Sequence, residues 1–170
     1  MDSLVFFRPE FHSLLQPHPI LWTAGSNPYE VSKSIIQCKM LSGRYRTESL
    51  ASHWSSNSPG YCLAPTCSQV TEDLEHVLLY CPSYQQSRDK LARLWRATKI
   101  PTILHLITSL LSESGAALLQ FLLDPSTNPV VIRMYQDYGP ESLRIVFHLT
   151  RTWCFTIHKS RAKLLGSWAS

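Results

Sequence analysis

Apolar positions recur at helical rather than strand spacing along most of this chain. Val31, Ile35, Cys38 and Leu41 follow Asn27-Pro28-Tyr29-Glu30 at intervals of three and four. That pattern predicts a helix capped by Asn27, started by Pro28 and facing the core through this stripe, with Gly43 as its stop. Thr47 caps a short second helix with Glu48 in its first turn and Leu50 and Trp54 on one face. A third helix opens at Thr71-Glu72-Asp73-Leu74, capped by Thr71, buries Leu74, Val77, Leu78 and Cys81, and ends at Pro82. Residues 84–97 predict an amphipathic helix with Leu91, Leu94 and Trp95 inward and Arg88, Lys90, Arg93 and Arg96 exposed.

Beyond Pro101, segments 102–112 and 116–123 are parted by Gly115. They put Leu104, Ile107, Leu110, Leu111, Leu118, Phe121 and Leu122 on core faces. The stretch DPSTNP at 124–129 reads as a loop and 130–138 as a short helix. Pro140 starts a long last helix, through about Leu165, with Leu143, Phe147, Thr150, Cys154 and Ile157 as its stripe. Two stretches lack a period. Residues 1–27, broken by Pro9, Pro17, Pro19 and Gly25, predict an extended arm packed on another surface. Residues 55–70, SSNSPGYCLAPTCSQV, are rich in turn formers. The chain therefore divides into the arm 1–27, a helical hairpin with a Cys/His motif over 28–97, and a C-terminal helical segment over 98–170.

Composition narrows the class. Hydrophobic residues at 44% of 170 support a real core, and charged residues at 16% exclude a disordered polyelectrolyte. No apolar run reaches the ~20 residues of a membrane span, so no membrane partner is expected. The start MDSLVFFRPEF has an acid at position 2 and no basic region, which predicts no secretory leader. Five cysteines without a leader then predict an intracellular, reducing setting, nucleus or cytoplasm. The net charge of +4 is uneven: residues 142–170 carry Arg144, Arg151, Lys159, Arg161 and Lys163 and no acid. Lys39, Arg44, Tyr45 and Arg46 crowd the end of the first helix. That corner is either a solvated hairpin end or a phosphate-contacting surface with Tyr45 available for stacking.

Cys62, Cys67, His76 and Cys81 form C-x4-C-x8-H-x4-C. Thiolate and imidazole are the donors zinc prefers, and four of them close a tetrahedral shell, which points to a structural rather than a catalytic ion. A metal there would pin loop 55–70 to the following helix. The competing reading makes Cys62 and Cys67 loop thiols and Cys81 a small core residue. His53 is an alternative ligand by proximity; Cys38 and Cys154 sit on apolar stripes and read as core. A redox pair is disfavoured because C-x-x-C is absent. There is no phosphate-binding Gly loop and no nucleophile elbow. The neighbouring acids Glu72 and Asp73 read as helix N-terminal charge.

The same residues carry a resemblance. SLVFFRPEF, PHPILWTAG, NPYEVSKSIIQCKMLSGRYRTESLASHW and GYCLAPTCSQVTEDLEHVLLYCP, with LSGRYRTE and EHVLLYCP the most specific parts, resemble the C-terminal region of a non-LTR (LINE-type) retrotransposon reverse transcriptase. DPSTNPVV and the basic last helix resemble the tail of the Rex-like branch. The resemblance implies Cys62, Cys67, His76 and Cys81 as Zn2+ ligands in a region that helps hold RNA template and target DNA. The pattern departs in three ways. The aromatic-x-Asp-Asp turn of the polymerase and the endonuclease are both missing, and the first two cysteines lie further apart than the family often has them. A fragment without catalysis of its own is therefore expected.

The expected fold is mainly α, a small helical domain with a Cys3His zinc-knuckle-like loop. The expected function is a zinc-stabilised nucleic-acid-binding module for RNA or DNA, contacting through Lys39, Arg44, Tyr45, Arg46, Arg88, Arg93 and Arg96, with the basic last helix as a further candidate contact. The alternative is a structural or protein-interaction module bracing the reverse transcriptase core.

Overall fold

The computed structural model describes residues 18–97, 100–112 and 114–166; of the arm, residues 1–17 lie outside the described residues, as does the Leu111 side chain. Among the described residues eight α-helices follow in order: α1 Pro19–Trp22, α2 Pro28–Leu41, α3 Glu48–Ser52, α4 Gln85–Arg96, α5 Pro101–Ser112, α6 Gly115–Leu123, α7 Pro129–Tyr138 and α8 Pro140–Leu164. Among the described residues there is no strand, only an isolated antiparallel bridge between Tyr61 and Thr71. None of these helices is long and apolar enough to cross a membrane.

Local signals set the boundaries. Asn27 Oδ1 accepts from the N–H groups of Tyr29 and Glu30, Thr47 Oγ1 from Leu50, and Asn128 Oδ1 from Val130. Pro28, Pro129 and Pro140 each occupy a first turn, where the missing N–H costs nothing. α2 ends in a Schellman turn: Gly43 takes φ +69°, its N–H reaches Met40 O, and the Arg44 N–H reaches Lys39 O at 2.8 Å. That turn throws Arg44 and Arg46 out beside the end of α2.

The spine is α8. It packs against α2, α4, α6 and α7, and its predicted stripe is fully enclosed, with Leu143, Phe147, Thr150, Cys154 and Ile157 all buried. Phe121, Leu122, Leu91, Trp95, Met40 and Leu78 complete the same core. Trp95 stacks at an angle on Trp153, ring centroids 4.8 Å apart.

Four faces differ from the periodicity. α2 turns Val31 and Ile35 outward and buries Lys33, Ser34, Gln37, Met40 and Leu41. The reason is a polar seam with α6 and α8: Gln37 Nε2 donates to Leu122 O at 2.7 Å and Thr150 Oγ1 at 3.0 Å, while Lys33 Nζ reaches Glu30 of its own helix at 2.7 Å and Thr152. The partners of Gln37 Nε2 and Lys33 Nζ offset the burial of those groups, while Ser34 Oγ and Gln37 Oε1 have none among the described residues. α4 buries Arg88, Leu91 and Trp95 and exposes Leu94. Leu104 on α5 is partly exposed, with Ile103, Leu106, Ile107 and Leu110 inward. Trp54 lies beyond α3 and is 81% exposed, while Leu50 is half-buried. Within the predicted arm, residues 18–27 hold α1, whose first turn is capped by His18 Nδ1 and whose Ile20 is buried.

Candidate metal centre and its basic groove

The loop from Gly60 to Glu72 is a folded-back segment with little apolar content. Its ends are tied by Glu72 N–H to Gly60 O and by Cys62 N–H to Val70 O at 2.8 Å; inside it, Cys67 N–H reaches Ala64 O at 2.9 Å. Gly60 has φ +77°, a conformation that favours glycine, and Ser52 Oγ would stand 3.3 Å from a Cβ added there. These bonds aim Cys62 and Cys67 at one point.

The other two donors come from a π-helical turn, His76–Tyr80, rather than from an α-helix. Its cap is Asp73, whose Oδ1 accepts the His76 N–H at 2.7 Å; Thr71 instead pairs with Tyr61. In an α-helix, residues five apart sit about 140° apart around the axis, from 3.6 residues per turn. The π turn closes Cys81 N–H onto His76 O at 2.7 Å and brings positions 76 and 81 to one side.

The four donor atoms lie within 4.8 Å of one another. Cys62 Sγ is 3.8 Å from Cys81 Sγ, Cys67 Sγ is 3.7 Å from Cys81 Sγ, and Cys67 Sγ is 3.5 Å from His76 Nε2. A tetrahedral ion with bonds of ~2.3 Å to sulfur and ~2.0 Å to nitrogen has edges of about 3.8 and 3.5 Å. The separations fit such an ion, and they are far too long for a disulfide, whose sulfurs stand ~2.05 Å apart. His53, at the end of α3, is exposed and outside the cluster; Cys154 is buried in the core and Cys38 half-buried against it.

Burial disfavours the thiolate form here, as it does at the core thiol of Cys154. Burial pushes the Cys62 thiol up to about 12; neighbouring Cys67 and Cys81 add to this, and a backbone N–H from Ala64 opposes it. Burial also raises Cys81, against a backbone N–H from Ser83. Those two N–H groups favour the thiolate form that a metal ion would require. Arg88, expected on the surface, is 5% exposed, and its Nη2 donates to Cys81 O at 2.6 Å and Gln85 Oε1 at 2.8 Å. It holds the last ligand's backbone and has no phosphate-facing side.

Beside the loop runs a groove of about 770 Å³ between the end of α2, the turn into α3, the last turns of α8 and Leu63. Lys39, Arg44, Arg46 and Lys159 are exposed cations along it. Tyr45 also lines it but is not free to stack: it is 7% exposed, and its hydroxyl bonds His158 Nδ1 at 3.1 Å. Burial first, then Arg161 and Lys39, hold His158 below its usual range, so the imidazole is neutral at neutral pH. Arg93 and Arg96 are exposed on α4 and do not line the groove.

Glu72, read from the sequence as helix-terminal charge, is 1% exposed and binds Arg161 Nη2 of α8. The same carboxylate accepts the Glu48 N–H at 2.9 Å, and Glu72 O accepts the Ser49 N–H. One residue therefore joins the metal loop, α3 and α8. Sequence reading missed Glu72, His158 and Leu63 as groove or positioning residues and held Lys159 and Arg161 only as part of the basic last helix, because only the packing of α8 on the loop assembles them. No protein-family model matches this chain, and neither any curated protein nor any solved structure does.

Proposed function

We propose that the chain is a zinc-stabilised nucleic-acid-binding module of the kind found C-terminal to the polymerase in non-LTR, Rex-like retrotransposon reverse transcriptases. It has no polymerase or endonuclease chemistry of its own. Three thiolates and one imidazole in a closed tetrahedron suit Zn2+ in a structural role. The observation that carries the reading is a shared wall: Leu63, between the ligands Cys62 and Cys67, lines the groove along which Lys39, Arg44, Arg46 and Lys159 are exposed. Glu48 is the groove's one acid, and Arg161 is neutralised by Glu72. Such a surface attracts phosphates, and the metal loop sets its shape. RNA and DNA are both accommodated by this chemistry.

The test uses purified full chain, metal-loaded and chelated. Elemental analysis should find about one zinc per chain; Cys67→Ser and Cys81→Ser should lose it, while Cys38→Ser and Cys154→Ser keep it. In single-stranded RNA titrations, log affinity should fall linearly with log salt, at ~0.7 per phosphate contact. Replacing Arg44 and Arg46 together by Ala should flatten that slope by roughly one to two units. Chelation should weaken binding; equal affinity of the two forms removes the metal's role. Primer extension with magnesium or manganese should yield no product.

A second reading is a protein-interaction module bracing the polymerase core. It is supported by Leu21, Tyr29, Val31 and Ile35, large apolar side chains exposed on α1 and α2. A flat salt response in both forms would favour it.

A further inference from the structure

We infer that the groove is a seat for unpaired nucleobases, so that the chain takes single strands in preference to duplex. This rests on the nucleic-acid reading above and deepens it. A surface that met phosphates alone would need only exposed cations. This groove also has an apolar side: Ile36, Leu63, Phe155 and Leu165 line it alongside the cations. Leu63 is 47% exposed although it sits between two buried or half-buried cysteines. The loop therefore displays an aliphatic side chain that its own packing does not use.

Phe155 adds an aromatic ring. It meets Tyr29 edge-on, and Lys159 Nζ lies 5.9 Å from its ring centre, so a cation and a π-surface are offered together. Apolar and aromatic surface beside a backbone-tracking row of cations is the chemistry of single-strand recognition, in which bases stack and phosphates pair with Lys and Arg. A volume of about 770 Å³ falls in the range of small-molecule sites and has room for one or two bases. Bases locked in a duplex cannot enter it, and a duplex would reach only the exposed cations. Charge selects the occupant: four exposed cations against one carboxylate fit a polyanion, not an acid-poor protein segment.

The experiment is fluorescence anisotropy with the metal-loaded full chain and three labelled probes of equal phosphate number: a 12-nucleotide single strand, the same backbone without bases, and a duplex. The base-bearing strand should bind about tenfold more tightly than the abasic one, the scale of one base stacking on a protein surface. Leu63→Ser and Phe155→Ala should each cut that ratio severalfold while leaving the salt slope unchanged. Leu63→Ser guards against misfolding, since the side chain is exposed; its metal content and circular dichroism should match the parent. Equal affinity for base-bearing and abasic strands, with a steep salt slope, overturns the base seat and leaves phosphate binding standing. Duplex binding as tight as the single strand does the same. A selectivity ratio untouched by both variants also overturns it. Failure of all three probes to bind removes the nucleic-acid reading itself.

Discussion

Glu30 is gripped by two cations and an imidazole at once. Its carboxylate accepts from Lys33 Nζ at 2.7 Å, Arg151 Nε at 2.8 Å and His148 Nδ1 at 3.1 Å. Burial alone would raise its pKa, but those bonds win and hold it at about 2. The stabilisation is therefore complete above the unfolded value of 4.5 and is lost as pH falls through about 2. Replacing Glu30 by Gln leaves Arg151, whose side chain is 3% exposed, and the equally enclosed Lys33 without their anion. After allowing for solvent at the His148 edge, the cost at pH 7 should be on the order of 2–3 kcal/mol. Urea unfolding across pH 3–7 should show the gap between parent and Glu30→Gln narrowing below pH 4.5; a constant gap would count against the ion cluster. The same cluster explains why Val31 and Ile35 misled the sequence reading. Glu30, Lys33 and Gln37 share a helical period with one another, and only their partners on α8 and α6 decide which stripe goes inward.

At the scale of elements, boundaries were legible in the sequence and functional geometry was not. Asn27, Thr47, Pro28 and Pro140 act through neighbours a few residues away, so sequence carries them. The Cys/His spacing was legible for the same reason. The π turn was not: nothing in HVLLY marks it, and its i to i+5 closure is useful only because Cys62 and Cys67 wait opposite His76 and Cys81. Loop 60–72 buries few apolar side chains, chiefly Cys62 and Ala64, so its order depends on what holds the four donors together. Chelating the metal should therefore release the amides of Cys62, Cys67, Glu72 and Cys81 to near-unprotected hydrogen exchange. Amides of α8 around Phe147 and Cys154, deep in the core, should keep most of their protection. Uniform loss across both sets would mean that the metal holds the whole fold; no change in the loop would mean that its backbone bonds suffice.

On the scale of the whole molecule, the candidate metal centre and the groove are linked by one buried pair. Glu72 leaves the metal loop to bind Arg161 on α8 and the Glu48 amide at the start of α3, and the guanidinium of Arg161 lies 5.8 Å from the Tyr45 ring centre. No local pattern marks the pair, because its members are 89 positions apart and meet only when α8 closes over the loop. Glu72→Gln separates two accounts of the groove by the sign of its effect. It keeps an oxygen for the Glu48 N–H but removes a negative charge near the groove and leaves Arg161 uncompensated. If basicity alone drives binding, the lost carboxylate should tighten RNA affinity slightly at low salt. If the pair positions Arg44, Arg46 and the turn between α2 and α3, affinity should instead fall by roughly 5- to 10-fold, about 1–1.4 kcal/mol, with zinc content unchanged. Stability should drop by a few kcal/mol, as when one partner of a buried ion pair is removed. The double variant Glu72→Gln with Arg161→Met should recover part of that loss, because no unpaired buried charge remains, and a coupling of about 1–3 kcal/mol is expected in the cycle. Tighter RNA binding by Glu72→Gln at intact zinc content would reduce the groove to its charge and leave the metal loop a purely structural clasp.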